Sequence, residues 1–210
     1  MASGATRLPI GAKKIEPVIL VGISFAKGES GVSSRVLDFT PVEDASWKKY
    51  QTGGASEYFE FLSEQVVPLV EEKYRADPKR RTLSGQSLGG SFGAWVLLER
   101  PGVFSSYILT SPSLWFKDRY IFDVEESYAE ARNDLAATVY FAVGSEETLA
   151  KGQGQPMVSQ LEEFTKTLKS RDYPSLNIKS EVIPEAIHET TFPQGFIRGS
   201  QWIYSTSELD

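Results

Sequence analysis

A serine flanked by glycines lies near the middle of the chain, in the stretch Gly85-Gln86-Ser87-Leu88-Gly89. This Gly-x-Ser-x-Gly pattern is typical of a nucleophile elbow, the tight turn from a strand into a helix that holds a serine in a strained conformation. The flanking glycines leave room for strand and helix to approach each other, and the positive end of the helix points at the hydroxyl. The same string also occurs in plain glycine-rich turns, so a nucleophilic Ser87 requires a base and an acid elsewhere.

The chain contains a single histidine, His188, and no cysteine. A serine hydroxyl is a poor nucleophile without an adjacent base. His188 follows the last predicted strand and precedes the closing helix, so we expect it at the carboxyl edge of the sheet, where the elbow also lies. The alternative is a surface or capping histidine, but the elbow needs a base and favours the catalytic interpretation. Because zinc sites without cysteine usually need two or three imidazoles, we expect neither a metal ion nor another cofactor.

Two adjacent glutamates, Glu146 and Glu147, follow the strand predicted over residues 138–143. In folds that carry a nucleophile elbow, the catalytic acid comes between the serine and the histidine along the chain. The acid fixes the tautomer of the imidazole. We favour Glu147, because it is the third residue after Gly144, which ends the strand. Glu146 remains the alternative acid. Either side chain could instead be a solvated loop charge, and a serine–histidine dyad without an acid is a further alternative.

Hydrophobic periodicity predicts strands that alternate with helices. The predicted strands are residues 17–25, 81–83, 107–110, 138–143 and 176–183. The predicted helices are residues 55–74, 88–99, 157–169 and 192–204, with a kink at Pro68 and a long loop over residues 26–54. Such alternation indicates an α/β fold with a mostly parallel sheet flanked by helices. We predict one domain over residues 1–210, in which residues 1–16 are poorly defined.

The overall composition excludes several classes of partner. The 210 residues carry a net charge of −6, and no basic cluster suggests binding to nucleic acid or to an anionic membrane. No apolar run approaches the ~20 residues that span a bilayer. The first nine residues lack the apolar region of a signal peptide, so we expect a cytoplasmic protein. The expected partner is a small-molecule substrate.

Several short motifs in addition to the elbow give the chain a family resemblance. They are Val21-Gly22-Ile23, Arg35, Asp38-Phe39-Thr40-Pro41, Gly53-Gly54-Ala55, residues 81–90 and Ser111-Pro112-Ser113-Leu114-Trp115. In this order they resemble the siderophore (trilactone) esterase and esterase D-like branch of the α/β-hydrolases, over most of residues 17–190. The resemblance implies that Ser87 and His188 are catalytic, whereas the acid varies. The residue before the nucleophile is usually histidine in this family and is Gln86 here, which we expect to border the substrate pocket.

The resemblance also implies that the usual first strands of the fold are missing, among them the one whose loop supplies an oxyanion-hole amide. The amide of Leu88 is the expected first oxyanion donor. The second would come from an unusual place, such as Ile23 or Ser24 if the strand over residues 17–25 has moved inward. Because a shortened sheet leaves an open edge, we expect a homodimer in which two copies complete each other. A truncated chain or a misassigned start is the alternative explanation.

Three functions are compatible with these residues. The preferred one is a serine carboxylesterase that hydrolyses small acyl esters through an acyl-enzyme. The first alternative is a siderophore trilactone esterase. The second is a catalytically weak relic of an α/β-hydrolase that acts as a binding or assembly module. Trp115, Phe116 and the aromatic residues of the loop over residues 26–54 are candidates for the apolar wall of the substrate pocket, although most aromatic residues at such positions belong to the core.

Overall fold

The protein is described by a computed structural model that covers residues 15–152 and 154–206. Four strands in these ranges form one parallel sheet in the order β1-β2-β3-β4. They are β1 (Thr82–Gln86), β2 (Ser106–Thr110), β3 (Ala137–Gly144) and β4 (Leu176–Ile183). All four carboxyl ends lie at the same edge of the sheet, as the βαβ pattern requires. The predicted α/β class with a mostly parallel sheet is confirmed, and the four strands lie within a few residues of their predicted positions.

The helices cover both faces of this sheet. They are α1 (Gly31–Asp38), α2 (Ala55–Phe61), α3 (Val67–Lys73), α4 (Leu88–Glu99), α5 (Phe116–Ala131), α6 (Met157–Ser170) and α7 (His188–Tyr204). Helix α4 is buried along nearly its whole length, which is expected of a central helix that is apolar on all sides. Helix α7 packs on the opposite face, where Phe196 joins a second cluster with Ile108 and Tyr140. The described helices include none with the length and apolar character needed to cross a bilayer.

The predicted helix over residues 55–74 is present, but its kink takes the form of a π-helical turn. The turn covers Leu62–Val66 and joins α2 to α3. Pro68 lies two residues after this turn, and a proline in a helix removes one backbone hydrogen bond and crowds the carbonyl four residues earlier, here that of Glu64 within the turn. A widened turn at this point relieves that crowding. The expected core-facing stripe is only partly buried: Phe59 and Leu62 are in the core, whereas Leu69 and Tyr74 are exposed.

Two helices were not predicted. Helix α1 lies inside the predicted loop over residues 26–54, begins after Ser30, whose hydroxyl accepts a bond from the amide of Ser33, and buries Val36. Helix α5 buries Ile121, Val124 and Tyr128, a spacing that is typical of an amphipathic helix. The closing helix begins at His188, four residues earlier than predicted. His188 therefore lies on the first turn of a helix and not in the loop before it.

The predicted buried strand over residues 17–25 is wrong. Residues 16–25 belong to no strand or helix, and apolar side chains such as Ile19 and Phe25 are exposed. A groove of about 670 Å³ lies between this segment and β1, and both line it. Within residues 15–152 and 154–206, no strand lies next to this segment for its backbone to pair with. Its β-branched sequence indicates a preference for burial in a sheet, but a strand forms only where a partner edge is within reach.

Strand β1 is an edge strand of the sheet among the described residues. An open edge beside exposed apolar side chains favours association with another chain. The homodimer that completes the shortened sheet stays a prediction, and we expect sedimentation at micromolar concentration to give the mass of two 23.3 kDa chains. A monodisperse monomer under these conditions would contradict it.

Candidate active site

The predicted nucleophile elbow lies between β1 and α4. Ser87 joins the two elements with φ 60° and ψ −121°, a positive-φ conformation that is strained for a residue with a side chain. Gly85 makes this turn feasible, because a β-carbon at that position would lie 2.2 Å from the carbonyl oxygen of Gly89. The sequence therefore folds into the strained strand–turn–helix arrangement that projects a serine beyond the edge of a sheet.

The imidazole of His188 is paired with the carboxylate of Glu147. Nδ1 of His188 lies 2.6 Å from Oε2 of Glu147, although the two residues are 41 positions apart. Because an ionised carboxylate only accepts hydrogen bonds, this contact assigns the proton of a neutral imidazole to Nδ1. Nε2 is then left with its lone pair and can accept a proton from a hydroxyl. The His188 side chain is 30% exposed, so a substrate can reach it.

Glu147 is fully buried, and its second oxygen is saturated with hydrogen bonds. Oε1 accepts bonds from the hydroxyl of Ser111 at 2.6 Å, the amide of Gly144 at 2.8 Å and the hydroxyl of Thr191 at 2.8 Å. Burial raises the pKa of the Glu147 carboxyl, but the bonds from His188, Ser111, Gly144 and Thr191 outweigh it and leave the pKa below its ordinary value. Glu147 is therefore held as a carboxylate.

Replacing Ser111 by alanine should lower the free energy of unfolding at pH 7 by about 1.5–3 kcal/mol, because it removes one donor from a buried charge. The folded-state pKa of Glu147 is depressed, so the stability it contributes is present above its unfolded value of about 4.3 and is lost as the pH falls through the folded value. The deficit of Ser111→Ala should therefore shrink in denaturant titrations below pH 4. An unchanged free energy of unfolding at pH 7 would contradict this, with Ser159→Ala on the exposed part of α6 as the control.

The alternative acid, Glu146, lies in a different environment. Its carboxylate pairs with Lys151 at 3.0 Å and also accepts a bond from the hydroxyl of Ser145. The hydrogen bond with Lys151 leads the interactions that lower the pKa of Glu146, in a side chain that is 30% exposed. The structure thus brings Glu147, and not Glu146, against the imidazole of His188.

The hydroxyl of Ser87 has another partner than the imidazole. Its Oγ lies 3.3 Å from Oγ of Ser113, and among the described residues no hydrogen bond joins it to His188. The side-chain amide of Gln86 donates to the backbone carbonyl of His188, which ties the elbow to the start of α7. Serine and histidine therefore lie at the same edge of the sheet. Hydrogen bonds between nucleophile and base are often loose before substrate binds.

The two predicted oxyanion donors lie in different surroundings. Leu88 is the first residue of α4, and the first amides of a helix have no acceptor within it, so its N–H is available beside Ser87. Ile23 lies on the exposed segment across the groove from β1. The strand on which its role depended is absent, and Ile23 as a donor stays a prediction that requires the segment to move inward.

The predicted pocket residues Gln86 and Trp115 each contact a distant part of the chain. Gln86 bonds to the backbone of His188, as described above. Trp115 stacks on Trp47 with ring centroids 6.3 Å apart and an angle of 9° between the planes. Trp47 belongs to the segment that was predicted as loop. No group of three or more potential metal ligands lies together in residues 15–152 and 154–206.

Sequence reasoning missed Ser111, Ser113 and Thr191, which contact the acid or the nucleophile. The two serines lie in the Ser-Pro-Ser stretch just after β2, and Thr191 lies one helical turn after His188. A usable signal was present, because polar residues that follow a strand of a parallel sheet lie at its carboxyl edge, where the elbow also ends.

Comparison with known proteins places the chain among esterases. BesA, a ferri-bacillibactin esterase of Bacillus subtilis, is 32% identical over 143 residues, which are 62% of this chain and 49% of that protein. The siderophore enterobactin esterase of Emericella nidulans is 36% identical over 101 residues, 47% of this chain and 31% of that protein. The crystal structure of the BES protein from Bacillus cereus superposes with a TM-score of 0.83 at 26% identity and covers 98% of this chain and 77% of that one.

The matches cover a larger share of this chain than of the curated relatives. The chain spans about half or less of the length of the two curated relatives. The family model described as "Esterase: Putative esterase" matches residues 6–192, which include the elbow, the Glu147 loop and His188. Because this match extends over most of its length, the chain belongs to the putative esterase family.

Proposed function

We propose that the protein is a serine carboxylesterase that hydrolyses esters through an acyl-enzyme on Ser87. The observation that carries the proposal is the pairing of the buried Glu147 carboxylate with His188 at the edge of the sheet where the strained Ser87 turn lies. A carboxylate in this position orients an imidazole and stabilises its protonated form, which is what a serine nucleophile needs. Membership of an esterase family supports the same reaction class.

The proposed reaction has two steps. Ser87 Oγ attacks the ester carbonyl carbon while its proton passes to Nε2 of His188, and the carbonyl electron pair moves onto the oxygen beside the Leu88 amide. His188 then gives the proton to the departing alcohol, and the acyl group remains on Ser87. In the second step His188 takes a proton from water, the hydroxide attacks the acyl carbon, and Ser87 leaves with its proton restored.

The preferred substrates are small acyl esters, and siderophore trilactones are the second candidate. The relatives named as siderophore esterases favour the second candidate. Arg35 also favours siderophore trilactones. Its guanidinium lies 3.5 Å from the carbonyl of Gln86 and forms no salt bridge with the described residues. An unpaired cation beside the elbow suits an acidic phenolic substrate. The net charge of −6 opposes a strongly anionic one.

The proposal is tested by measuring kcat/KM for p-nitrophenyl acetate, p-nitrophenyl butyrate and enterobactin, each beside a Ser87→Ala control. Faster turnover of the p-nitrophenyl esters supports the small-ester proposal, and a higher kcat/KM for enterobactin moves the substrate to the trilactones. If wild type is no faster than Ser87→Ala on any of the three, the protein is not an esterase for these classes, and the non-catalytic binding or assembly module becomes the better account.

A further inference from the structure

The Ser-Pro-Ser turn after β2, residues Ser111 to Ser113, joins the two ends of the candidate catalytic apparatus. At one end, the hydroxyl of Ser111 donates to the buried carboxylate of Glu147. At the other, the hydroxyl of Ser113 lies 3.3 Å from that of Ser87. One turn of three residues therefore contacts both the acid and the nucleophile.

The position of Ser113 is fixed by its backbone. Its amide donates to the carbonyl of Ser87 at 3.1 Å, and its own carbonyl accepts from the amide of Phe116 at 3.2 Å. The turn also packs tightly on α4, where a β-carbon on Gly90 would lie 3.0 Å from Cα of Pro112. The separation between Ser113 and Ser87 thus follows from main-chain bonds and close packing, and it does not depend on a freely rotating loop.

The hydroxyl of Ser113 forms no hydrogen bond in the described part of the chain other than its contact with Ser87. The residue is only 2% exposed, so water competes poorly for its hydroxyl, and Ser87 Oγ is its one hydrogen-bond partner among residues 15–152 and 154–206. A buried hydroxyl without a partner is costly, so the contact is favoured in the folded protein.

We propose that Ser113 is a catalytic residue that donates a hydrogen bond to the Oγ of Ser87. This inference rests on the proposed function, in which the proton of Ser87 goes to Nε2 of His188. With that proton directed at the imidazole, Ser87 Oγ offers only lone pairs to Ser113, and Ser113 must be the donor. Ser113 keeps its own proton throughout. Its bond strengthens as negative charge grows on Ser87 Oγ, both when the proton leaves and when Ser87 departs from the acyl group.

The experiment compares Ser113→Ala, Ser113→Thr and wild type by their rates of labelling with a fluorophosphonate and by kcat and KM for p-nitrophenyl butyrate. Ser113→Ala should be slower by about 10-fold in labelling and in kcat, with little change in KM, because it loses one hydrogen bond to the reacting oxygen. Ser113→Thr keeps a hydroxyl and should stay within about 3-fold of wild type. The matched control is Ser84→Ala on β1. The buried hydroxyl of Ser84 has no hydrogen-bond partner in the described part of the chain, so this variant should behave as wild type.

Each other outcome overturns the inference. Ser113→Ala that is as fast as wild type shows that the contact does not assist the reaction, and a faster Ser113→Ala shows that Ser113 accepts from Ser87 and holds its proton away from His188. Equal losses in the alanine and threonine variants, with a raised KM or a lowered Tm, assign Ser113 to packing. If wild type is not labelled above Ser87→Ala, the proposed function fails and the inference fails with it, whereas normal labelling of wild type and Ser113→Ala removes the inference alone.

Discussion

Replacing Ser87 by alanine is expected to lower kcat for p-nitrophenyl butyrate by about 10⁴-fold or more. The elbow places this side chain at the edge of the sheet where the Glu147–His188 pair lies, and alanine removes the only atom that could form the acyl bond. The remaining rate would come from binding and from the Leu88 amide. Because the strain at φ 60° is a property of the backbone, the variant should fold normally.

The matched control is Ser91→Ala, one helical turn later, whose hydroxyl bonds to the carbonyl of Leu88. It removes a serine hydroxyl from the first turns of α4, close to the elbow, and should keep kcat within a few-fold of wild type. The double variant Ser87→Ala/His188→Ala should be little slower than either single one, because the members of a catalytic unit are not additive. Ester hydrolysis by Ser87→Ala at a rate near that of wild type would contradict the assignment of the nucleophile.

Replacing Glu147 by glutamine is the second large change, with an expected loss in kcat of about 10²-fold or more. The neutral amide no longer stabilises a protonated imidazole. Its NH₂ group can also donate to Nδ1 of His188, which favours the tautomer with the proton on Nε2, where the lone pair is needed. Glu146→Gln should have little effect, because this carboxylate pairs with Lys151 at the surface, where ion pairs contribute little. Steady-state kinetics on the two variants and wild type decides between the adjacent residues.

The interpretation of Glu147→Gln requires a measurement of stability alongside the kinetics. Glu147 is fully buried and also accepts bonds from Ser111, Gly144 and Thr191, so the variant loses stability as well as charge. Kinetics should therefore be measured well below its Tm. A large loss in Glu146→Gln with a small one in Glu147→Gln would transfer the role of acid to Glu146, and small losses in both would favour a serine–histidine dyad.

Local sequence patterns predicted the elbow, the parallel strands and the edge of the sheet at which the candidate site lies. The glycines around Ser87 indicate a turn that tolerates close backbone approach, and the apolar runs over β2 and β3 indicate strands covered on both faces. From these and from the order serine, acid, histidine, the common edge of the sheet follows without knowledge of any side-chain contact. Chain order and spacing also favoured Glu147, whose oxygen lies 2.6 Å from His188 in the structure.

The rest depends on contacts between distant parts of the chain. Residues 17–25 have the composition of a buried strand, but a groove separates them from β1, the nearest edge of the sheet. Composition does not indicate whether a partner strand lies within hydrogen-bonding distance. The contacts of Ser111, Ser113 and Thr191 join segments that lie 26 to 44 positions apart. Serine and threonine are common in surface turns, so their residue types alone do not distinguish a buried donor from an exposed one.

Labelling with a fluorophosphonate tests the central claim most directly, because it detects an activated serine without assuming a substrate. The account predicts a single adduct in the intact-protein mass spectrum, which peptide mapping locates on Ser87. The adduct should be absent from Ser87→Ala, and it should form much more slowly in His188→Ala than in wild type. An unmodified wild-type protein, or an adduct on a serine other than Ser87, would contradict it.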